Sequence, residues 1–304
     1  MEVRAATEEE RRARDALTHS AWGGGLDVDQ YAAREARLRG HAWARGAMET
    51  WLAVGDDGAI LSSCESFASR SYLDGEQGVT YAIASVFTAP ALRGRGHAVA
   101  MLRELVDRLR PRPRAHAVTL YSDVGARIYE RAGFLAVTSL DRSLPAEPGD
   151  PTEGVTPLGE GEVRDAPPPA ARFVVWPDAP QLDWHRERER AYAALLGRPR
   201  PPLAGARTEG GEIVFVGDLK GARLLVLRLR ADTEQDARRL LRSAARAAHA
   251  AGLPRVVAWE DPLVAPRVPV GAVAPREGGL AMIHPLAPRL SASEWHVIPR
   301  GAWV

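Results

Sequence analysis

One stretch decides the fold, because it joins a β-branched, aromatic run to the start of an amphipathic run through a loop with two glycines and two arginines. It reads Val86-Phe87-Thr88-Ala89-Pro90-Ala91-Leu92-Arg93-Gly94-Arg95-Gly96-His97-Ala98. The apolar side chains that follow recur at the spacing of one helix face, at Ala98, Met101, Leu102, Leu105 and Leu109. Pro111 and Pro113 end the pattern. The stretch therefore predicts a strand, a glycine loop and the N-terminus of a helix.

This arrangement is suited to binding a phosphate group. The first N–H groups of a helix have no partners within the helix, and the helix dipole favours an anion beside them. Gly94 and Gly96 allow the backbone to approach a ligand closely, and Arg93 and Arg95 add positive charge. The stretch is neither a Walker loop nor a dinucleotide Gly-x-Gly-x-x-Gly motif. Two glycines alone are equally consistent with an ordinary turn at the start of a helix.

A second element, between Leu120 and Phe134, follows the first along the chain. It predicts the end of a strand, a short helix that carries Tyr129, and a helix C-cap at Gly133. Either element alone is a weak signal. Their order along the chain makes the pair specific.

The two elements together resemble the GNAT acyl-CoA N-acetyltransferases. The Arg-x-x-Gly-x-Ala spacing from Arg93 to Ala98 resembles the pyrophosphate loop of that family, and Tyr129-Glu130-Arg131-Ala132-Gly133-Phe134 is similar to the end of its helix after the fifth strand. The resemblance implies an α/β (α+β) fold with a mixed, mostly antiparallel central sheet, and acetyl-CoA as co-substrate. The residues it implies for acetyl-CoA binding are Val86, Phe87, Thr88, Arg93, Gly94, Arg95, Gly96, His97 and Ala98.

Composition excludes several other classes of protein. The net charge of the 304 residues is +1, which gives no signal for nucleic acid or for an anionic membrane. The single cysteine, Cys64, excludes an intramolecular disulfide and a zinc site with several cysteines. The eight histidines lack metal-ligand spacing, so no metal is expected. No signal-peptide segment and no long apolar run is found, which predicts a cytoplasmic protein. The sequence is silent on oligomeric state.

A shift in composition after Arg142 predicts the domain organisation. Prolines, glycines and acidic residues become frequent there, as in a solvated linker. We predict an acetyltransferase domain at residues 1–142, a Pro/Gly-rich acidic linker at 143–170 and a second domain at 171–304.

The second half shows the coarse pattern β-α-β-β-α-β-β, with its last strands at Gly279–His284 and Glu294–Ile298. This repeats the order of the first half without a second Arg-x-x-Gly-x-Ala loop. It indicates a degenerate GNAT-like α/β domain that does not hold CoA, with a plain αβ sandwich as the alternative.

Further short sequence segments, spread over most of the chain, resemble the lysine N-acetyltransferases of fungal lysine catabolism. Among them are Ile60-Leu61-Ser62-Ser63-Cys64-Glu65, Thr119-Leu120-Tyr121-Ser122-Asp123-Val124-Gly125 and Asp183-Trp184-His185. The linker and the C-terminal tail depart from that family. The resemblance implies transfer of acetyl to the side-chain nitrogen (N6) of free L-lysine. Alternatives are another acceptor (an aminoglycoside, a polyamine or a protein N-terminus) and a non-catalytic acyl-CoA sensor.

Acetyl transfer to an amine needs a base and an acid. The pKa of a lysine side chain is near 10.4, so only about one amine in a few thousand is neutral at pH 7. Glu65 is the first candidate for the base. Asp123 is the second, with a helix N-cap as its alternative role. The resemblance implies a backbone N–H of Val86 to Thr88 as the oxyanion donor. It implies Tyr129 as the acid that protonates the leaving thiolate, with a core aromatic as the alternative.

An amino-acid acceptor also needs a partner for its carboxylate, and a bidentate arginine is suited to that role. The candidates are Arg34, Arg186 and Arg276. The resemblance adds two groups as lining of the acceptor site: Tyr31, Arg34 and Glu35 on the second predicted helix, and Trp184 with His185 in the second domain. The alternatives are a solvated helix face for the first group and core positions for the second.

Overall fold

Helices and strands alternate along the chain in a computed structural model that describes residues 1–137, 139–150, 152–261, 263–276, 278–291 and 299–303. The first half forms β1 (Glu2–Ala5), α1 (Glu8–Trp22), α2 (Val28–Gly40), α3 (Ala42–Ala47), β2 (Met48–Val54), β3 (Ile60–Leu73), β4 (Glu76–Phe87), α4 (His97–Leu109), β5 (Ala115–Ser122), α5 (Arg127–Glu130) and β6 (Leu135–Ala136). The second half forms β7 (Leu140–Pro145), β8 (Thr156–Leu158), β9 (Phe173–Val175), α6 (Ala179–Leu196), β10 (Gly205–Thr208), β11 (Gly211–Asp218), β12 (Arg223–Ala231), α7 (Glu234–Ala250), β13 (Arg255–Glu260), β14 (Ala272–Pro275) and β15 (Leu280–Pro285).

The described residues divide into two compact units. The first unit contains residues 1–137 and 278–291, and the second contains residues 139–276 and 299–303. Each unit is built on one mixed sheet, and most strand pairs in both sheets are antiparallel. This confirms the predicted α/β (α+β) class with a mixed, mostly antiparallel central sheet.

The sheet of the first unit has the strand order β1-β2-β3-β4-β5-β15-β6. Its parallel pair is β4 with β5, and α4 connects these two strands. The apolar face of α4 packs on the sheet, with Met101, Leu102 and Leu105 fully buried. The strand–loop–helix order predicted from residues 86–109 is confirmed.

Helix α1 begins as its sequence predicts but buries an unusual face. Thr7 and Glu10 form a capping box at its start. Its buried positions are Arg14, Asp15 and Thr18, which share one helix face and are all polar. A helix that turns such a face inward must find partners for it within the protein.

The parallel pair β4–β5 separates before either strand ends. The paired residues run from Val79 with Ala115 to Ile83 with Leu120. Beyond that point β4 continues to Phe87, and its register against β3 slips between Ser63 and Glu65. Ser85 lies in this irregular segment at φ 52°, a conformation that few residues other than glycine adopt. The gap between the ends of β4 and β5 therefore lies beside the glycine loop, which follows β4.

The sheet of the second unit has the order β14-β7-β13-β12-β11-β10-β8. Its parallel pair, β12 with β13, is connected by α7, so the unit repeats the crossover of the first unit. The inner face of α7 is made of alanines and leucines, and Leu240, Leu241, Ala244 and Ala248 are buried against the sheet.

The structure corrects the predicted linker at 143–170. Strand β8 lies inside this range and pairs with β10, while β7 enters it and pairs with both β13 and β14. The composition does not reveal β8 because β8 is an edge strand, and a proline such as Pro157 is tolerated at a sheet edge.

The structure also corrects the assignment of the strand predicted at Gly279–His284. It forms β15, but β15 pairs with β5 and β6 in the sheet of the first unit. Strand β5 is buried along nearly its whole length. Strand β4 pairs with one edge of β5, and β15 pairs with the opposite edge. The strand predicted at Glu294–Ile298 lies outside the described residues.

Candidate active site

The glycine loop has the backbone geometry that only glycine adopts without strain. Gly94 lies at φ 78° and Gly96 at φ 85°, both in the left-handed region. A Cβ added at either position would meet no atom within 4 Å, so the dihedral angle rather than crowding requires glycine. Gly96 is the N-cap of α4 and accepts a hydrogen bond from the Ala100 N–H.

The N-terminus of α4 is open to a ligand. Within the described part of the chain no side chain caps it. His97 and Ala98 occupy its first turn and are only half-buried, and Arg95 is exposed beside them. Arg93 donates from Nε to the Thr88 carbonyl at 3.1 Å, which ties the loop to the end of β4. Unpaired N–H groups, a helix dipole and nearby guanidinium groups can together hold a phosphate.

The corresponding helix of the second unit lacks this feature. The N-cap of α7 is Thr233, whose hydroxyl accepts a hydrogen bond from the Asp236 N–H at 3.1 Å. The acidic side chains of Glu234 and Asp236 lie in the first turn. A capped and negatively charged helix start does not favour a phosphate.

The Ser62 hydroxyl of β3 fixes the end of β4 before the loop through two contacts. The Ser62 hydroxyl donates to the Phe87 carbonyl at 2.8 Å and lies 3.0 Å from the Thr88 hydroxyl. Val86 is half-buried and Phe87 is buried. The residues predicted to bind acetyl-CoA, between Val86 and Ala98, lie at the end of β4, in the glycine loop and in the first turn of α4.

Tyr129 lies on α5, the helix that follows the C-terminal end of β5. Its side chain is buried, and Phe134 packs edge-to-face against its ring. Burial raises the pKa of Tyr129 above its ordinary value, and the Ser122 hydroxyl opposes this effect. Cys64 on β3 is close enough to raise that pKa further. The phenol therefore stays protonated at neutral pH and can act as a proton donor.

Asp123 is exposed, and its carboxylate accepts a hydrogen bond from the Gly279 N–H at 2.9 Å. It does not cap the Tyr129 helix, because the N-cap of α5 is Ala126 and no side chain among the described residues caps the helix. The N-cap role is therefore wrong. The carboxylate instead holds the backbone that enters β15.

Glu65 is buried in an ion pair with Arg14, a residue that the sequence analysis did not single out. Nη1 of Arg14 lies 2.7 Å from Oε1 of Glu65, and the two residues are 1% and 3% exposed. Burial raises the pKa of Glu65 above its ordinary value, and the charge of Arg14 opposes this effect. Glu65 is therefore a more basic carboxylate than an exposed one, held in a fixed position.

Tyr31, Arg34 and Glu35 belong to the same polar region between α1, α2 and β3. Arg34 is 7% exposed, bonds to Glu35 at 2.5 Å and stacks on the Tyr31 ring at 4.6 Å. The Tyr31 hydroxyl lies 3.0 Å from that of Thr18, and burial raises the pKa of Tyr31 to about 12. The solvated-face alternative is wrong for this group.

A third ion pair, Asp15 with Arg39 at 2.5 Å, completes a charge-balanced cluster of Arg14, Asp15, Arg34, Glu35, Arg39 and Glu65. We call it the acceptor-side cluster, because Arg34 and Glu35 are residues that the sequence resemblance implies at the acceptor site. The sequence does not predict Arg14, Asp15 and Arg39, because their side chains read as ordinary charged helix faces until their partners are known.

The substrate candidates in the second half are buried within the second unit. The His185 Nε2 donates to the Gly301 carbonyl at 2.9 Å, and Trp184 packs edge-to-face on the His185 ring. Arg186 donates to the Ala204 carbonyl at 2.7 Å. Arg276 pairs with Asp141 at 2.8 Å and lies 3.7 Å above the Trp259 ring. These contacts correct the prediction that Trp184, His185, Arg186 and Arg276 present open groups to a substrate, because all four are already bound within their unit.

His185 gives a testable pH dependence of stability. Burial and the charge of Arg300 lower its pKa from 6.5 to about 3, so the folded protein keeps the ring neutral while the unfolded chain takes up a proton below pH 6.5. The free energy of unfolding is expected to fall as the pH decreases, by about 2 kcal/mol at pH 5 from this group. His185→Gln keeps a donor for Gly301 and should remove most of that loss in urea titrations at both pH values. His249→Gln, an exposed change in the same unit, should leave the loss intact, and equal acid sensitivity of both variants would contradict the assignment.

A cleft of about 610 Å³ in the first unit lies away from the glycine loop. Arg110, Arg112, Arg114, His116 and Arg289 line it together with the first residues of β4. Because the loop follows the last residue of β4, the cleft is at the opposite end of that strand and does not belong to the candidate site. Within the described residues, no group of His, Cys, Asp and Glu side chains could hold a metal ion, and no helix is long and apolar enough to cross a bilayer.

Two family models match this chain. Residues 2–137 match the one described as Acetyltransferase (GNAT) domain, and residues 160–278 match the one described as LYC1 GNAT-like C-terminal domain. The protein is therefore an acyltransferase with a GNAT acetyltransferase domain followed by a GNAT-like domain.

The chain is also similar to a named acetyltransferase and to solved acetyltransferase structures. A protein of Yarrowia lipolytica named lysine acetyltransferase is 22% identical over a 295-residue alignment that covers 75% of each chain. A GCN5-related N-acetyltransferase from Anabaena variabilis covers 94% of this chain with 73% of its own at 13% identity and a TM-score of 0.58. A putative acetyltransferase from Pyrococcus horikoshii covers 100% with 94% of its own at 14% identity and a TM-score of 0.54. These structural likenesses concern the fold.

Proposed function

We propose that this acyltransferase transfers the acetyl group of acetyl-CoA to a primary amine of a small molecule, and that the acceptor is the side-chain nitrogen (N6) of free L-lysine. The observation that carries the proposal is the separation of β4 and β5 beyond Ile83 and Leu120, directly before the glycine loop. The gap leaves strand-edge groups of β4 available to an extended ligand whose phosphates lie at the start of α4.

The proposed chemistry uses Glu65 on β3, the Val86–Thr88 segment at the end of β4, and Tyr129 on α5. Glu65, directly or through a water, takes a proton from the ammonium group of the acceptor. The neutral nitrogen then attacks the thioester carbon, and a backbone N–H of the Val86–Thr88 segment stabilises the oxyanion. The carbon–sulfur bond breaks, Tyr129 gives its phenol proton to the leaving thiolate, and the nitrogen loses its second proton to solvent. Release of the acetylated amine and of CoA, return of a proton from solvent to Tyr129 and loss of the Glu65 proton to solvent complete the cycle, with one net proton released.

Asp123 is a weaker candidate for the base. Its carboxylate is exposed and accepts a hydrogen bond from the Gly279 N–H, whereas Glu65 is buried and burial raises the pKa of Glu65. In this proposal Asp123 keeps β15 in place, and Glu65 is the base.

The choice of lysine rests on two further observations. The relative from Yarrowia lipolytica is named a lysine acetyltransferase. The acceptor-side cluster contains equal numbers of arginines and carboxylates, which is suited to a zwitterionic amino acid that presents both charges. A polycation such as an aminoglycoside or a polyamine would need an excess of carboxylates there.

Arg34 is the candidate partner of the substrate carboxylate. It lies within the acceptor-side cluster, whereas Arg186 and Arg276 are buried in the second unit. Its guanidinium could exchange part of its contact with Glu35 for a bidentate contact with the substrate.

The proposal is tested by initial rates with a panel of amines at fixed acetyl-CoA. The panel includes L-lysine, L-ornithine, spermidine, kanamycin and a peptide with a free N-terminus. The expected result is a kcat/KM for L-lysine at least about tenfold above every other amine, a difference of about 1.4 kcal/mol in transition-state binding. A higher value for another amine would replace the acceptor and keep the reaction, and the absence of turnover with every amine would favour the acyl-CoA sensor.

A further inference from the structure

The Arg14 guanidinium connects three groups on two strands. Nη1 donates to the Glu65 carboxylate at 2.7 Å, Nε donates to the Ser63 hydroxyl at 3.1 Å, and Nη2 donates to the Ser85 carbonyl at 3.1 Å. Its side chain is 1% exposed, so these contacts are shielded from water. The donors of an arginine are spread over three nitrogens of a rigid plane, so they can reach three acceptors that lie apart. The donors of a lysine all sit on a single nitrogen.

The third contact falls on the strained segment of β4. Ser85 has φ 52°, in the left-handed region that is strained for a residue with a Cβ. It lies where the register of β4 against β3 slips, two residues beyond the last pair of β4 with β5. Strain of this kind persists only where the surrounding structure holds the backbone, and the hydrogen bond from Arg14 does so here.

The contact also fixes the direction of the next N–H group. In a planar trans peptide the C=O of one residue and the N–H of the next point in opposite directions. The Ser85 carbonyl is directed toward Arg14, whose other two partners, Ser63 and Glu65, are on β3. The Val86 N–H is therefore directed away from Arg14 and from the Ser63 and Glu65 groups that Arg14 binds.

We propose that Arg14 is a positioning residue that holds the Ser85–Val86 peptide so that the Val86 N–H stabilises the oxyanion, while the same guanidinium holds Glu65 in place as the base. This inference rests on the proposed function. One buried side chain of α1 thereby sets the relative position of the base and the oxyanion donor. Arg14 itself does not touch the reacting atoms.

The test compares Arg14→Lys with Arg142→Lys, a matched change at a buried arginine outside the candidate site. Arg142 donates to the Glu260 carboxylate and to the Val268 and Val270 carbonyls, all within the second unit. Arg14→Lys is expected to lower kcat about 100-fold, as loss of an oxyanion donor does, with KM for acetyl-CoA changed by less than about twofold. Arg142→Lys should lose stability while keeping kcat. Equal kcat in the two variants, or a rise in KM in place of the loss in kcat, would overturn the proposal.

A second change tests the link to backbone strain. Glycine adopts a positive φ without the cost of a Cβ, so Ser85→Gly should restore part of the kcat that Arg14→Lys has lost. A merely structural role of Arg14 predicts no such rescue. Ser63→Ala removes one of the three hydrogen bonds of the guanidinium and should give the same pattern to a smaller extent. This variant decides the question if Arg14→Lys does not fold.

A measurement without an acceptor separates this proposal from the proposed function. Acetyl-CoA should slow backbone hydrogen exchange at Val86 and at the glycine loop of the wild-type protein. In Arg14→Lys the protection at Val86 should be lost, and that at the loop should remain. Unchanged protection at Val86 would overturn the positioning role. Lack of turnover by the wild type, with this difference present, would refute only the proposed function.

Discussion

Replacing Tyr129 by phenylalanine is expected to lower kcat about 100-fold or more, because a positioned general acid contributes about 10²–10⁴ to a rate. The ring would still fill its buried site against Phe134, so the fold and the Kd of acetyl-CoA should change little. The raised pKa of Tyr129 keeps the proton on the phenol at neutral pH, which is the form that a donor to a thiolate requires.

The measurement is steady-state kcat together with the Kd of acetyl-CoA from calorimetry. Tyr81→Phe is the matched control, because it removes another buried hydroxyl from the same hydrophobic core, on β4. Wild-type kcat in Tyr129→Phe would exclude Tyr129 as the acid. A loss of acetyl-CoA affinity equal to the loss of kcat would assign Tyr129 to binding instead.

Gly96→Ala is expected to weaken acetyl-CoA binding about 5–30-fold, since a Cβ at positive φ costs about 1–2 kcal/mol and 1.4 kcal/mol is tenfold in Kd. The loop is exposed around Arg95 and can relax to a negative φ in the free protein. Ligand binding must then restore the strained form. The cost therefore appears in the Kd of acetyl-CoA rather than in the stability of the fold.

Gly58→Ala provides the control for this change. Gly58 has φ 82°, close to the 85° of Gly96, and an added Cβ there also meets no atom within 4 Å. It lies in the turn between β2 and β3, so its strain should affect stability and leave the Kd of acetyl-CoA unchanged. Equal effects of the two alanines on the Kd would contradict the assignment of the loop.

The parts of the site that the sequence predicts are those formed by contiguous residues. The glycine loop and the start of α4 lie within one short stretch, and each local feature, a glycine at positive φ or an apolar helix face, is encoded where it acts. The helix of Tyr129, with Gly133 after it, is a second contiguous element. Local propensity and pattern are sufficient for such elements.

The parts that the sequence does not predict depend on partners far along the chain. Arg14 meets Glu65 and Ser85 only in the folded protein, and its position on α1 reads as an ordinary charged face. Strand β15 is predictable as a strand, but its residues do not specify that β5 is its neighbour. Strand β8 contains a proline and reads as a linker until the sheet edge is known.

The most direct test of the proposed reaction is to incubate the protein with acetyl-CoA and L-lysine and to follow the two products together. Free CoA is measured by its thiol, and the acetylated amino acid by mass spectrometry with fragmentation that distinguishes N6 from the α nitrogen. The predicted result is one N6-acetyllysine for each CoA released, with no release above background when lysine is omitted. Tight acetyl-CoA binding without CoA release, with lysine or any other amine, would contradict the proposal.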